Sequence, residues 1–221
     1  MPHRIYRTLV ALSFVILSGC ATSGLSNKST YSIYLSGPEM FLADPAAAIA
    51  KKKALLEKLN VENNWRFHLV GLSQLDNQIE DYKPDAATGI KIFKANIELM
   101  NQADFILANT VRFRGPGMAV GTAFEMGYMR GLGKPIFAYY DAKPFYDEAE
   151  PVDTYETRVK THYPVATNGK QDIHGLTIEN FGMADSLMTV GSLQNGNGEI
   201  AASFEEAVLA IAAFIESQRN R

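Results

Sequence analysis

Glu125 is the one acidic residue in the apolar, glycine-rich run GTAFEMGYMRGLGKP (121–135), and two kinds of chemistry suit it. Thr122-x-x-Glu125 fits a capping box, in which the threonine accepts from the N3 amide and the glutamate reaches back to the N-cap amide. The same run also reads as a helix that follows a parallel strand. Its N-terminus then lies at the carboxyl edge of the sheet, where open α/β folds bind ligands. The helix dipole favours an ionised carboxylate in that place, facing a substrate. In this helix Gly127 and Gly131 are expected to permit close packing on the sheet. Phe124, Tyr128 and Leu132 are expected to line the buried side, which leaves Glu125 between core and crevice. Asn96 is a second polar residue of interest, because it interrupts the apolar stripe Ile92, Leu99, Ala103 and a buried polar group must find a partner. Phe113, in a loop, is able to stack on an aromatic ligand or on its own loop. Asp104, at the start of a strand, reads as a cap or turn residue.

These residues need a scaffold, and the flanking pattern supplies one. YSIYLSG (31–37) alternates around strand formers and runs into Gly-Pro. A helix follows, with Asp44 at its N-cap and Pro45 at its first position. WRFHLVGL (65–72) is a second strand. The polar stretch after it, to about Gly89, is long for a compact domain, and such loops are often functional. IKIFKANIELMNQAD (90–104) is an amphipathic helix, FILANT (105–110) a short buried strand, VRFRGPGMAV (111–120) a loop and PIFAYYD (135–141) a strand. Beyond Ala142, VDTYETRVKTHY (152–163) reads as a helix, NGKQDIHG (168–175) as a loop and MADSLMTVGSL (183–193) as a short helix. SFEEAVLAIAAFIESQ (203–218) is a long amphipathic helix with a Ser203/Glu206 capping box. Alternating strands and helices predict a single α/β domain, flavodoxin-like or Rossmann-like, whose parallel sheet carries helices on both faces.

Composition narrows the partners. With 47% hydrophobic and 20% charged residues, the chain suits one globular domain. A net charge of −3 gives no basic face for nucleic acid. The N-terminus is a separate object: MPHRIYR is basic, TLVALSFVILSGC is apolar but short for a bilayer span, and Leu17-Ser18-Gly19-Cys20 resembles the bacterial lipobox. Residues 1–20 are therefore expected to be a lipoprotein signal peptide ending in an acylated Cys20. Residues 21–30 form a small, polar tether, and the domain occupies 31–221. The expected location is the bacterial envelope, lipid-anchored on the periplasmic side. Cys20 is also the only cysteine.

Three stretches together resemble the nucleoside 2-deoxyribosyltransferases: IYLSGPEMF (33–41) the first strand and loop of that family, FKANIELMNQADFILAN (93–109) its central helix and strand, and RGPGMAVGTAFEMGYMRGLGKPIF (114–137) its signature. FGMADSLM (181–188) is a weaker echo of the segment that enters a neighbouring subunit's site. The resemblance implies transfer of 2-deoxyribose between nucleobases through a covalent glutamyl intermediate on Glu125, with no metal or cofactor. Cleavage of an N-glycosidic bond passes through an oxocarbenium-like transition state, which a carboxylate beneath the sugar carbon stabilises and captures. It further implies that the Tyr34 hydroxyl holds the nucleophile and that Gly37, Asn96, Phe113 and Gly121 lie about the substrate. Ser186 and Met188 would be contributed across a homo-oligomer interface. The substrates would be 2′-deoxynucleosides and free nucleobases.

Two positions depart from the family pattern. Ala119 stands where an aspartate usually handles the nucleobase, and Ser186 where an asparagine usually binds the 5′ hydroxyl. Hydrolysis of deoxynucleosides, or of their 5′-phosphates with Arg112 or Arg114 on the phosphate, is one alternative. A non-catalytic nucleoside-binding envelope protein is another. Glu80, Asp81 and Asp85 in the long loop are the available replacement acids.

Other signals are weaker. GPGMAVG (115–121) is too far from its strand for a dinucleotide fingerprint. His68, His162 and His174 lack metal-ligand spacing. AKKKALLEK (50–58) reads as a solvated helix face.

Overall fold

The computed structural model describes residues 28–143, 145–146, 153–194 and 199–221. The Cys20 lipobox, the signal segment and most of the tether lie outside these residues. Ten elements follow in order: β1 (Ser29–Ser36), α1 (Pro45–Asn63), β2 (Phe67–Leu72), α2 (Ala86–Gln102), β3 (Phe105–Asn109), α3 (Val120–Gly131), β4 (Ile136–Tyr139), α4 (Tyr155–His162), α5 (Leu187–Val190) and α6 (Phe204–Arg219). β1 starts two residues before the expected domain boundary. No described helix is long and apolar enough to cross a membrane.

The four strands form one parallel sheet in the order β2-β1-β3-β4. Alternation along β1 sends Ile33 and Leu35 to one face, where they pack with Leu56 and Leu59 of α1 and Val208 and Ile211 of α6. It sends Tyr34 to the other face, beside Met100 of α2 and Met126 and Met129 of α3. Helices thus cover both faces, as expected of a parallel sheet. The chain reverses direction between β1 and β3, so the crevice beyond their carboxyl ends is a switch-point binding position.

Local signals set the helix starts. Asp44 Oδ1 accepts from Ala47 N at 2.9 Å with Pro45 following it, and Ser203 Oγ accepts from Glu206 N at 3.1 Å. α2 begins four residues before the expected point, because Asp85 caps it by accepting from Thr88 N at 2.8 Å. Asp104 Oδ2 accepts from Ser32 N at 2.7 Å, which ties the start of β3 to β1 as a turn residue. The lysine run at 51–53 is not simply solvated. Lys53 pairs with Asp76 at 2.6 Å, and Lys52 turns inward to a buried ion pair with Glu39.

α3 departs furthest from expectation. Its buried residues are Thr122, Glu125, Met126 and Met129, whereas Phe124 and Leu132 are exposed. A Cβ on Gly127 or Gly131 would meet open space, so neither glycine serves sheet packing. The segment is apolar nearly all round, and the sheet selects the methionine side as the buried one.

Candidate active site

Glu125 is only 6% exposed. Its carboxylate lies at the carboxyl edge of β1, where Oε1 accepts from the Tyr34 hydroxyl at 2.7 Å and from Gln74 Nε2 at 2.8 Å. Oε2 accepts from Ser36 Oγ. Each donor has a structural reason for its place. Tyr34 and Ser36 are two residues apart on β1 and share one face. Gln74 stands on a short turn after β2, where Ser73 Oγ accepts from Leu75 N and Asp76 Oδ2 accepts from Ser73 N. Lys53 secures Asp76 from α1.

The capping-box reading of Thr122 and Glu125 is therefore corrected. α3 starts at Val120 after Ala119, which has no capping side chain. Glu125 thus falls in the second turn of the helix, and its three bonds go to side chains of other elements. Burial pushes the Glu125 carboxyl above its ordinary range, and the bonds from Ser36, Tyr34 and Gln74 hold it down in part. Burial, reinforced by the Glu125 carboxylate, drives the Tyr34 phenol well above its ordinary value. Tyr34 therefore remains a donor at neutral pH.

Glu125 faces a cavity of about 830 Å³, enough volume for a nucleoside. It is lined by Glu125, Gln74 and Thr122 and by the apolar side chains of Met40, Phe41, Phe93, Phe113 and Phe124. Phe113 packs on Phe41 with ring centroids 4.9 Å apart, and the Arg114 guanidinium lies 4.8 Å from the Phe113 centroid. Phe93 and Phe124 approach to 5.9 Å at the mouth. Such faces suit a flat aromatic ligand.

Gly37, Asn96, Phe113 and Gly121 all line this cavity with Glu125. Asn96 Oδ1 accepts from Asn77 at 3.4 Å. Gly37 is required by close approach, since a Cβ there would lie 2.1 Å from Glu39 Oε2. Glu39 is buried below this turn. Its carboxylate accepts from Lys52 and from Asn109 Nδ2 (2.7 Å), tying the segment after β1 to the middle of α1 and the end of β3. Arg114 borders the cavity, while Arg112 turns away to stack on Tyr146, 3.8 Å from its centroid.

Ser186 and Met188 are not brought to this cavity within one chain. Ser186 precedes α5, with its hydroxyl 3.3 Å from that of Thr189, and Met188 is exposed. Asp185 anchors the segment by pairing with Arg158 at 3.2 Å. Ala119 contributes a methyl group to the cavity wall, and among the described lining residues Glu125 is the only carboxylate. Asp85 is engaged as a helix cap. No three His, Cys, Asp or Glu side chains are grouped to hold a metal ion among the described residues. Two donors escaped the sequence reading. Ser36 was within reach of it through alternation from Tyr34, whereas Gln74 meets Glu125 only through the tertiary fold.

The sequence profile of the nucleoside 2-deoxyribosyltransferase family matches residues 33–188. An uncharacterized protein of Schizosaccharomyces pombe is 26% identical over 201 residues, spanning 84% of this chain and 90% of the relative. A solved 2-desoxiribosyltransferase from Leishmania mexicana shares the fold with a TM-score of 0.55 at 24% identity, covering 83% of this chain and 97% of that one. A conserved protein of Enterococcus faecalis V583 has a TM-score of 0.49 at 19% identity, covering 83% and 98%.

Proposed function

This chain belongs to the nucleoside 2-deoxyribosyltransferase family, a group of glycosyl-transferring enzymes, and we propose that it moves 2-deoxyribose between nucleobases through an ester on Glu125. The observation that carries this reading is a buried carboxylate, held by three donors, lining a cavity together with aromatic side chains. A carboxylate so placed stabilises the oxocarbenium-like transition state and captures the sugar carbon. The aromatic walls offer faces for the departing and arriving bases, and Tyr34 fixes the rotamer of the nucleophile.

A second reading is hydrolysis, and Ala119 favours it. With a methyl group where the family usually places an acid, the site has less to grip an acceptor base, and water then takes the sugar. In the 5′-phosphate form of this reading Arg114, at the cavity, is the cation for the phosphate, and Arg112 is not. Incubation with deoxyinosine, with and without free adenine, separates the two. Transfer yields deoxyadenosine, whereas hydrolysis releases hypoxanthine at the same rate in both samples. No product from either sample, and none when deoxyadenosine, deoxycytidine, thymidine or the 5′-phosphates replace deoxyinosine, rejects the enzymatic reading in favour of a nucleoside-binding protein.

The setting proposed is the bacterial envelope, with an acylated Cys20 in the bilayer and the domain on the periplasmic side. The basic n-region, apolar run and lipobox-like Leu-Ser-Gly-Cys support it. We also propose a homo-oligomer in which Ser186 and Met188 reach a neighbour's site. The exposure of Met188, with Phe181 and Leu176 on the same arm, supports that assembly.

A further inference from the structure

A carboxylate offers about four lone-pair sites, two on each oxygen. Oε1 of Glu125 already accepts two donors, Tyr34 and Gln74, while Oε2 accepts only Ser36. Both sites of Oε1 are taken and one site of Oε2 is open. We propose that Oε2 is the atom that bonds the sugar, and that Gln74 and Ser36 are positioning residues that hasten breakdown of the resulting ester; this rests on the reading of Glu125 as nucleophile.

The chemistry runs in two steps. In the first, the open lone pair of Oε2 bonds to C1′ as the C1′–N bond breaks. The electron pair of that bond leaves on the base nitrogen, which takes a proton from water. In the second, a nitrogen of the incoming base bonds to C1′ and the C1′–Oε2 electron pair returns to the carboxylate. The acceptor nitrogen gives its proton to water. Oε1 is the carbonyl oxygen of the intermediate and keeps Tyr34 and Gln74, while Oε2 is the bridging oxygen beside Ser36.

Hydrogen bonds to an ionised acceptor are roughly twice as strong as those to a neutral one. Each donor therefore stabilises the free carboxylate more than the ester. That moderates the nucleophile in the first step and improves the leaving group in the second, so the steady state moves away from the ester. Ser36 stands beside the atom on which charge returns. Gln74 is held for its role by the turn that Ser73, Asp76 and Lys53 brace, with Ser73 fully buried.

The test uses the full chain with deoxyinosine, deoxyadenosine, deoxycytidine and thymidine, at a pH where Glu125 is ionised. Acid quenching and intact-protein mass measure the fraction carrying 2-deoxyribose. Adding adenine to the isolated adduct measures its breakdown. For both Gln74→Met and Ser36→Ala the expected result is an adduct fraction higher by up to about tenfold and a breakdown rate lower by about tenfold, the effect of one charge-assisted bond. A merely structural loss would lower formation and leave breakdown unchanged. An adduct on the unsubstituted protein that breaks down equally fast in both variants overturns the roles of Gln74 and Ser36 and leaves the nucleophile standing. A complete lack of adduct in all three proteins overturns both.

Discussion

The role proposed for Glu125 sets two demands against each other: a nucleophile must be ionised, and a buried carboxylate resists ionisation. Burial raises its pKa and the three donors only partly restore it. The proposed mechanism requires the ionised form, so the rate is expected to fall as pH drops through a value above the ordinary glutamate pKa of about 4.3. A pH profile of kcat/KM should show that acid limb, and Ser36→Ala should move it to higher pH, because its hydrogen bond lowers the pKa. Stability has the opposite sign. A folded pKa above the unfolded one contributes stability that is complete at low pH and is lost as pH rises through the folded value. Glu125→Gln is expected to abolish turnover yet raise the melting temperature at about pH 8, the gain shrinking as the solution is acidified. Thermal melts across pH check this, and a variant less stable than its parent at the higher pH contradicts it. The sequence exposes Glu125 because it is a lone acid in an apolar run, and Tyr34 because of family resemblance. It hides Gln74, which lies 51 positions away on a loop with no local mark of its target.

Helices and strands were the more legible scale. Asp44, Pro45 and Ser203 announce helix starts by chemistry that acts within a few residues, and the alternation in β1 tells its two faces apart. The buried face of α3 is not legible in the sequence for an equally physical reason: a helix with apolar groups nearly all round has no unique stripe, and only the sheet it meets decides. Inter-element ties are legible only in the fold, and two of them give stability predictions. Asn60 of α1 donates to Leu69 O at 2.8 Å and accepts from Leu69 N at 2.9 Å, closing the free edge of β2. Asn60→Ala leaves both backbone groups unpaired and should cost about 1–3 kcal/mol in denaturant melts. Lys52→Met strands the buried Glu39 carboxylate beneath Gly37 and should cost about 3–5 kcal/mol, most of it recovered when Glu39→Gln is added. A double variant no more stable than Lys52→Met would show that the pair is not the cause.

For the molecule as a whole, the parallel order β2-β1-β3-β4 puts the site at the reversal between β1 and β3, which explains why residues from 34 to 125 converge there. The proposed assembly adds a second chain to that edge. Light scattering should find an oligomer at micromolar concentration, and Met188→Asp should weaken it. Mixing inactive Glu125→Gln chains with Met188→Asp chains should restore part of the activity, since some mixed sites then combine an intact Glu125 with a neighbour's intact Met188. A monomer with full activity contradicts the shared site. At the N-terminus, Cys20→Ser should move the protein from the membrane fraction to the soluble one, and retention at the membrane would argue against acylation there.

The most direct test is to locate the covalent intermediate. After acid quench during turnover of a 2′-deoxynucleoside, peptide mass spectrometry should find one 2-deoxyribosyl group, on Glu125. Turnover that leaves Glu125 unmodified and persists in Glu125→Gln would contradict the account.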